Sequence, residues 1–296
     1  YKRQAIIHAG LNREFPIGRS LFAFMQPKSY LNQKLNEFGV KYQLGKGAYA
    51  VVYAAEDLQG ISGQKNKLVA LKIPTDQKKS YKKQMAEAEF LLELDHPNIV
   101  KVYSIEFCKL FNIFFFVMEI VEGKDLEEMI DLAGFQPLPI KNTEIIAAQM
   151  FDVLKYFSDK NIVHRDIKPA NMIVTMEGRL VLTDFGFANY MDKLDPKSLR
   201  AGTLYYMPPE QLDGKPEPAS DVWGAGVILY RMLTGRLPFN AGAEQELIRL
   251  IREEEPQPIK ELNPNAPDYL VRICEECLKK DPKERYNFAY EFTKKQ

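Results

Sequence analysis

The sequence contains few cysteines and histidines and no long apolar run. Three cysteines among 296 residues are too few for a disulfide framework, which favours a reducing compartment such as the cytoplasm. The longest apolar run, Ile113–Met118, is far shorter than the roughly 20 residues that span a bilayer. Forty basic residues balance forty acidic ones, so composition gives no indication of a nucleic-acid or membrane partner.

Two of the cysteines, Cys274 and Cys277, have the C-x-x-C spacing of some metal and redox sites. A structural zinc site needs four ligands, and no second C-x-x-C or histidine pair accompanies this one among only three histidines. We therefore predict that both cysteines are packing residues on one face of a helix over Leu270–Leu278.

The hydrophobic pattern changes along the chain, from a β-rich first third to a helical remainder. Short β-branched and alternating segments predict strands at Lys41–Leu44, Val51–Glu56, Leu68–Ile73, Val100–Phe107 and Ile113–Val121. Amphipathic periodicity predicts helices at Ser80–Leu94, Leu126–Leu132, Thr143–Asp159, Ala219–Leu233, Glu244–Glu254, Asp268–Lys279 and Phe288–Lys294.

Residues 1–37 show no strong period, and we assign them to an N-terminal extension. They carry six basic residues against two acidic ones, a net charge of +4. Their apolar cluster, Leu21–Met25, would be exposed in a free tail. Two interpretations stay open: the cluster docks on this chain or on a partner, or the segment is a linker. Because the chain starts at Tyr1 rather than Met, we expect a fragment of a longer protein.

Four short motifs contain the candidate residues for ligand binding and catalysis. The first is the glycine-rich hairpin Leu44-Gly45-Lys46-Gly47-Ala48-Tyr49-Ala50-Val51-Val52, where the absence of a Cβ lets backbone amides approach phosphates. The second, Val69-Ala70-Leu71-Lys72, ends an apolar strand in a lysine that needs an anion. The last two are His164-Arg165-Asp166-Ile167-Lys168-Pro169-Ala170-Asn171 and Asp184-Phe185-Gly186.

In this order and spacing, the four motifs resemble the signature set of protein kinases. Their amino-acid sequences are similar to those of Hanks-type, eukaryotic-like serine/threonine kinases of the bacterial branch. The resemblance starts near Val40 and implies an α+β, two-lobed kinase domain over 38–296. Its small β-rich lobe is expected at about 38–121 and its larger helical lobe at about 122–296.

The resemblance implies a transfer of the γ-phosphate of ATP to a serine or threonine of a protein substrate. Asp166 would position the substrate hydroxyl and Lys168 would neutralise the moving phosphate. Thr203 would bond to both of these side chains. Asn171 and Asp184 would hold Mg²⁺, which prefers hard oxygen ligands.

The resemblance also implies a nucleotide site. Lys72 would pair with the ATP phosphates and with Glu87, while the linker from Glu119 to Val121 would offer backbone groups to the adenine edge. The other expected nucleotide contacts are Leu44, Gly45, Lys46, Gly47, Ala48, Tyr49, Ala50, Val52, Ala70, Met118, Asp125 and Ile173.

Further segments share the resemblance, with two departures. Gly202-Thr203 and Asp221-Val222-Trp223 match the kinase pattern, but the third glycine of the hairpin is Ala50 and the A-P-E motif reads Pro208-Pro209-Glu210. Glu210 is kept, so we expect it to form a buried pair with Arg285.

Two other function classes stay open. A pseudokinase scaffold would lack one of the motif residues, and none is missing. A kinase-fold enzyme acting on a small molecule is disfavoured by Gly202-Thr203 and Pro208–Glu210, which form part of a peptide-docking surface in the kinases that this chain resembles.

The segment before Thr203 is a candidate for regulatory phosphorylation. Arg165 precedes Asp166, and in kinases with this arginine it commonly receives an activation-loop phosphate. Ser198 lies five residues before Thr203, close to where such a phosphate usually sits. A phosphoserine adds charge that an arginine can bind, and the alternative is that Ser198 is an ordinary loop serine.

Overall fold

The computed structural model describes residues 29–47, 50–75, 90–186, 188–191, 194 and 202–285. The chain divides into two compact units, and the boundary falls between Glu122 and Gly123. The first unit is built on an antiparallel sheet and the second is mainly helical. The expected α+β class is therefore confirmed.

The strands of the first unit form one six-stranded sheet among the described residues, and every neighbouring pair is antiparallel. The strands are β1 Lys34–Leu35, β2 Phe38–Lys46, β3 Ala50–Asp57, β4 Leu68–Pro74, β5 Val102–Cys108 and β6 Ile113–Met118. Their order across the sheet is β1-β2-β3-β4-β6-β5. All five strands predicted from the pattern are present, whereas β1, with two residues, is too short for a pattern to show.

The register of this sheet aligns several expected nucleotide contacts. Val52 pairs with Gly45 on β2 and with Lys72 on β4. Ala70, two residues before Lys72, pairs with Met118 on β6. A register shift falls just before Gly45, and such an irregularity bends a hairpin and increases its twist.

Residues 29–37, which the sequence analysis placed in the extension, pack onto the sheet. Tyr30 is buried, and its ring lies edge-on to Tyr53 at 6.0 Å and to Phe111 at 5.5 Å between centroids. Strand β1 pairs with the start of β2. The apolar cluster Leu21–Met25 lies outside the described residues, so its docking stays a prediction.

Five of the seven helices described in the second unit match the predicted spans closely, and the two four-residue helices were not predicted. They are α1 Leu126–Leu132, α2 Ile140–Asp159, α3 Pro209–Leu212, α4 Pro218–Thr234, α5 Glu244–Glu253, α6 Ile259–Leu262 and α7 Asp268–Cys277. The helix predicted over Phe288–Lys294 and most of the helix predicted over Ser80–Leu94 lie outside the described residues. Across the part of the chain that the structure describes, no helix is long and apolar enough to cross a membrane.

Short strands in the second unit hold the motif segments in place. The strands are β7 Gly123–Asp125, β8 Ile162–Val163, β9 Met172–Thr175, β10 Leu180–Leu182 and β11 Asn189–Tyr190. Strand β8 ends directly before His164, and β9 begins directly after Asn171. Strands β10, β9 and β7 form one sheet in that order, and β8 pairs with β11. Both ends of the 164–171 motif are thus tied to sheet structure.

Helix α4 forms the centre of the second unit because almost all of its residues are buried. It packs against α2 and α7. A Cβ at Gly226 would lie 2.6 Å from the Cβ of Cys277, so only glycine permits this close approach of α4 and α7. The thiol of Cys274 donates to the carbonyl of Gly226 at 3.4 Å. Both cysteines are buried packing residues, as predicted.

The ends of α4 follow from local sequence. Glu217 and Ser220 form a reciprocal capping box, and Pro218 occupies the first turn, where a missing N–H costs nothing. Gly235 ends the helix with φ 73°, a left-handed conformation that glycine adopts without strain. A Cβ there would also lie 2.3 Å from the backbone of Phe135.

The expected buried pair of Glu210 and Arg285 is confirmed. The two guanidinium nitrogens Nη1 and Nη2 donate to Oε1 and Oε2 of Glu210 at 2.6 and 2.9 Å. The arginine side chain is fully buried. It also donates to the carbonyls of Lys279, Lys280 and Ala219. A bidentate, fully hydrogen-bonded pair of this kind fixes α3 to the segment that follows α7.

Replacing Arg285 with alanine should lower the free energy of unfolding by about 3–5 kcal/mol, because Glu210 would remain buried without its partner. Chemical denaturation measures this loss. Arg249→Ala is the matched control, since Arg249 pairs with Glu246 and Glu254 on the exposed surface of α5 and should cost far less. Equal losses in the two variants would contradict a structural role for the buried pair.

Candidate active site

The backbone of the 164–171 motif is held by one buried carboxylate. Asp221, in the first turn of α4, accepts hydrogen bonds from the amides of His164 at 2.7 Å and Arg165 at 2.8 Å. Arg165 has φ 66°, a left-handed conformation that costs a non-glycine residue roughly 1–2 kcal/mol. The two hydrogen bonds to Asp221 offset this cost and thereby fix the direction in which the chain enters Asp166.

Burial raises the pKa of Asp221 to about 7, although the amides of His164 and Arg165 and the positive charge of Arg165 act in the opposite direction. A carboxylate in an apolar environment is costly unless its oxygens are hydrogen-bonded. Because each oxygen of Asp221 receives a backbone amide, the group is both a buried polar site and a rigid anchor.

His164 is a fully buried side chain between two phenylalanine rings. Its ring lies 6.0 Å from that of Phe157 and 5.1 Å from that of Phe185, between centroids. Its Nδ1 accepts from the amide of Asp166 at 3.3 Å. Burial lowers the pKa of His164 to about 4, with nearby Lys168 acting in the same direction and Asp166 and Asp184 acting against it. The imidazole is therefore neutral at pH 7.

Asp166, Lys168 and Thr203 form a closed triangle of contacts. The hydroxyl of Thr203 donates to Oδ1 of Asp166 at 2.8 Å and accepts from the Lys168 ammonium at 2.8 Å. The same ammonium lies 2.6 Å from Oδ2 of Asp166. One hydroxyl can satisfy both roles because it has one donor and two acceptor positions. The structure thus brings together three of the expected catalytic residues.

Asn171 joins the same cluster from the other side. Its Nδ2 donates to the carbonyl of Asp166 at 2.9 Å and to Oδ2 of Asp166 at 3.1 Å. Its own carbonyl accepts from the amide of Thr183 at 2.9 Å and from the Thr183 hydroxyl at 3.0 Å. With the NH₂ group oriented toward Asp166, the amide oxygen is the part of the side chain left for a cation.

Asp184 lies two residues after the end of β10, and its Oδ1 accepts from the amide of Gly186 at 3.1 Å. Phe185 between them is buried against His164. Among the described residues there is no group of three or more His, Cys, Asp and Glu side chains that could hold a metal. A site made of Asp184 and the Asn171 amide would need further oxygen ligands from a bound molecule or water.

The glycine-rich hairpin is described only in part, since Ala48 and Tyr49 lie outside the described residues. The amide of Gly47 donates to the carbonyl of Ala50 at 2.8 Å and closes the hairpin. A Cβ at Gly47 would have, among the described atoms, only that carbonyl within 4 Å, at 3.7 Å. Because 3.7 Å is an ordinary van der Waals separation, the described atoms around Gly47 would also accommodate a Cβ. Leu44 is buried and Lys46 is exposed.

Lys72 lies near the end of β4, where it pairs with Val52 and Phe116 on the strands at either side. Its expected partner, Glu87, lies outside the described residues, so the Lys72–Glu87 pair stays a prediction. Ser198 also lies outside them, and its phosphorylation remains untested.

Two expected nucleotide contacts have structural roles that the sequence analysis missed. Oδ1 of Asp125 accepts from the amide of Glu128 at 2.8 Å and caps α1. The spacing of Asp125 and Glu128 before an apolar helix is the signal that could have revealed this cap. Oε1 of Glu119 accepts from the amide of Lys101 at 2.9 Å. Asp125 also pairs in register with Ile173, so the structure brings these two residues together.

Comparison with known proteins agrees with this fold and site. The family model described as the protein kinase domain matches residues 38–295. The serine/threonine-protein kinase PkaA of Streptomyces coelicolor is 32% identical over 82% of this chain and 46% of its own length. PrkC of Bacillus subtilis is 32% identical over 83% of this chain and 38% of its own length. Aurora kinase C of Mus musculus is 29% identical over 86% of this chain and 89% of its own length.

An antiparallel-sheet unit followed by a helical unit that carries this cluster defines the class of two-lobed α+β kinases. The chain belongs to the protein kinase domain family. The expectation drawn from the four motifs is thereby confirmed. The chain spans less than half the length of the bacterial relatives PkaA and PrkC.

The depressed pKa of His164 should make stability depend on pH. The unfolded state binds a proton near pH 6.5, whereas the folded state resists protonation down to about pH 4. The contribution of neutral His164 to the free energy of unfolding is therefore fully present above pH 6.5 and is lost as the pH falls towards 4. Between pH 7 and pH 5 the loss should be about 2 kcal/mol.

The matched variant is His164→Asn, which keeps an acceptor for the Asp166 amide but does not titrate. Urea denaturation at pH 7 and pH 5 should show that the variant loses about 2 kcal/mol less than the parent over this interval. A parent and variant that lose the same stability would show that His164 is not the group responsible.

Proposed function

We propose that this chain transfers the γ-phosphate of Mg-ATP to a serine or threonine hydroxyl of a protein substrate. The observation that carries this proposal is the closed cluster of Asp166, Lys168 and Thr203, with Asn171 bound to the same carboxylate. Phosphoryl transfer asks a protein mainly for positioning and for electrostatic stabilisation. This cluster can supply both.

Asp166 is the group that orients the substrate hydroxyl. Its carboxylate is buried and receives Thr203 on one oxygen and Asn171 on the other. These donors fix the plane of the carboxylate. An oriented carboxylate accepts the hydrogen bond of a hydroxyl and directs its oxygen at the phosphorus.

Lys168 stabilises charge next to that carboxylate. Its ammonium is partly exposed and is held by Asp166 and Thr203, so it is oriented before a substrate arrives. A cation fixed in this way stabilises the negative charge of the transferring phosphoryl group without reorganisation during the reaction. Thr203 keeps the anion and the cation at a fixed separation, which is why we assign it a supporting role.

Mg²⁺ fits the oxygen donors that the second unit presents. Asp184 supplies a carboxylate and Asn171 supplies an amide oxygen, and both are hard ligands. Two protein ligands suffice because Mg²⁺ keeps several waters and binds substrate phosphates. When bound, the ion would neutralise charge on the phosphates.

The first unit provides the expected nucleotide contacts. The aligned residues Val52, Lys72, Ala70 and Met118 combine one cation with apolar side chains, which suits a phosphate chain and an apolar base. Lys72 would hold the phosphates, while Val52 and Ala70 would contact the base. The backbone from Glu119 to Val121 would bind its edge.

A protein substrate with a serine or threonine is supported by two observations. The bacterial relatives PkaA and PrkC are both named serine/threonine-protein kinases. A lysine at position 168 resembles the pattern of serine/threonine kinases rather than that of tyrosine kinases. The N-terminal extension 1–37, with its apolar cluster Leu21–Met25, is a further candidate for docking, within this chain or on a partner.

Replacing Asp166 with Asn should lower turnover by roughly 10²–10⁴-fold, which is the typical contribution of an oriented general base. Asn keeps the shape of the side chain but cannot serve as an anionic acceptor for the hydroxyl proton. Labelled ATP, a peptide library and phosphoamino-acid analysis measure both the rate and the residue type. Nucleotide affinity, measured by calorimetry, should stay almost unchanged.

Lys124→Ala is the matched control, because Lys124 pairs with Glu128 on the exposed surface and should leave turnover unaffected. Phosphate found only on tyrosine or on a small molecule would contradict the proposed substrate. Near-normal turnover of the Asp166→Asn protein would contradict the assignment of the carboxylate.

A further inference from the structure

We propose that Gln211 is a positioning residue for Asp166 and acts through the carbonyl group of Arg165. This inference rests on the proposed function, in which Asp166 orients the substrate hydroxyl. Gln211 directly follows Pro208-Pro209-Glu210, the segment that takes the place of the A-P-E motif.

The geometry places the amide of Gln211 directly on the peptide that precedes Asp166. Nε2 of Gln211 donates to the Arg165 carbonyl at 2.9 Å, and the glutamine side chain is buried. The amide of Arg165 is bound by Asp221 on α4. The peptide units on both sides of the Arg165 Cα are therefore held by buried side chains from two different helices.

Gly202 makes the same junction tight. Its φ is +132°, and a Cβ there would lie 2.4 Å from the Arg165 carbonyl oxygen and 3.0 Å from Nε2 of Gln211. No larger residue fits at this point. The glycine immediately precedes Thr203, whose hydroxyl contacts Asp166. One junction therefore sets the backbone at Arg165 and Gly202, the residues that directly precede Asp166 and Thr203.

The donor end of this contact is itself rigid. Gln211 follows Glu210 on α3, and Glu210 is bound by the buried guanidinium of Arg285. A short helix anchored in this way gives Gln211 a fixed backbone position. Because Arg165 is in a left-handed conformation, rotation of its peptide would turn Asp166 away from this orientation. Misplacement of a reacting group by about 1 Å can cost 10²-fold in rate.

The test compares Gln211→Met with Gln149→Met. Methionine keeps the length and volume of glutamine but cannot donate to a carbonyl. Gln149 is the matched control because its Nε2 also donates to a backbone carbonyl, that of Gly178 at 2.9 Å, in a turn away from the motif. Steady-state kinetics with labelled ATP give kcat and KM, and thermal melting reports stability for both variants.

We expect Gln211→Met to lower kcat by about 10-fold to 100-fold while the KM for ATP changes by less than about 2-fold. Gln149→Met should lose thermal stability but keep the kcat of the parent. A parent-like kcat in Gln211→Met, or an equal fall of kcat in both variants, would overturn the proposal.

Gln211→Glu supplies a second readout that a purely structural role would not change. A buried carboxyl facing a carbonyl has a raised pKa, and only its protonated form can donate to Arg165. The kcat of this variant relative to the parent should therefore rise as the pH falls from 8 to 6. A ratio that is flat with pH would count against the proposal.

Amide exchange separates failure of this proposal from failure of the proposed function. A parent protein that transfers no phosphate would overturn the function. Amide exchange in the peptide covering residues 164–171 would still test the contact of Gln211 with the Arg165 carbonyl. The exchange should be at least about 10-fold faster in Gln211→Met than in Gln149→Met. Equal exchange would overturn the positioning role whether or not the protein is active.

Discussion

The hydrogen bonds from the backbone amides of His164 and Arg165 to the buried carboxylate of Asp221 are the interaction on which the site depends. A loop of polar residues cannot hold a strained backbone by itself. Asp221 lies on α4, whose side chains form the centre of the second unit. The 164–171 segment therefore takes its rigidity from the hydrophobic core of the second unit.

The conformation of the residues next to Asp166 follows from these hydrogen bonds to Asp221. His164 is pressed between Phe157 and Phe185 and stays neutral, while the next residue is forced into a left-handed conformation. That conformation places the carboxylate of Asp166 within hydrogen-bond distance of the Thr203 hydroxyl and the Asn171 side-chain amide. The carboxylate that the proposed reaction needs is thus oriented by its contacts with Thr203, Lys168 and Asn171.

Hydrophobic periodicity predicted the large elements well, whereas the long-range contacts of Glu210 with Arg285 and of Asp166 with Thr203 were predicted only through the family resemblance. Helix α1 has the predicted ends because its apolar spacing and its acidic start are local signals, whereas α2 begins three residues earlier than predicted because Pro139 permits an earlier start. The motif residues Asp166, Lys168 and Asn171 lie close together in the chain, so their grouping was predictable. The contact of Arg165 with Gln211 spans 46 residues, and no periodicity encodes such a contact. Strands of two to four residues are likewise too short for alternation to reveal.

The most direct test of this account is the exchange of the His164 and Arg165 amide hydrogens, followed by NMR in the parent and in Asp221→Asn. In the variant the side-chain NH₂ group would face one of the two backbone donors, so one buried amide would lose its acceptor. The account predicts that both amides in the parent exchange as slowly as those in the middle of α4, and that the variant loses at least about 10-fold of this protection while α4 keeps its own. Amides at His164 and Arg165 that exchange equally fast in both proteins would contradict it.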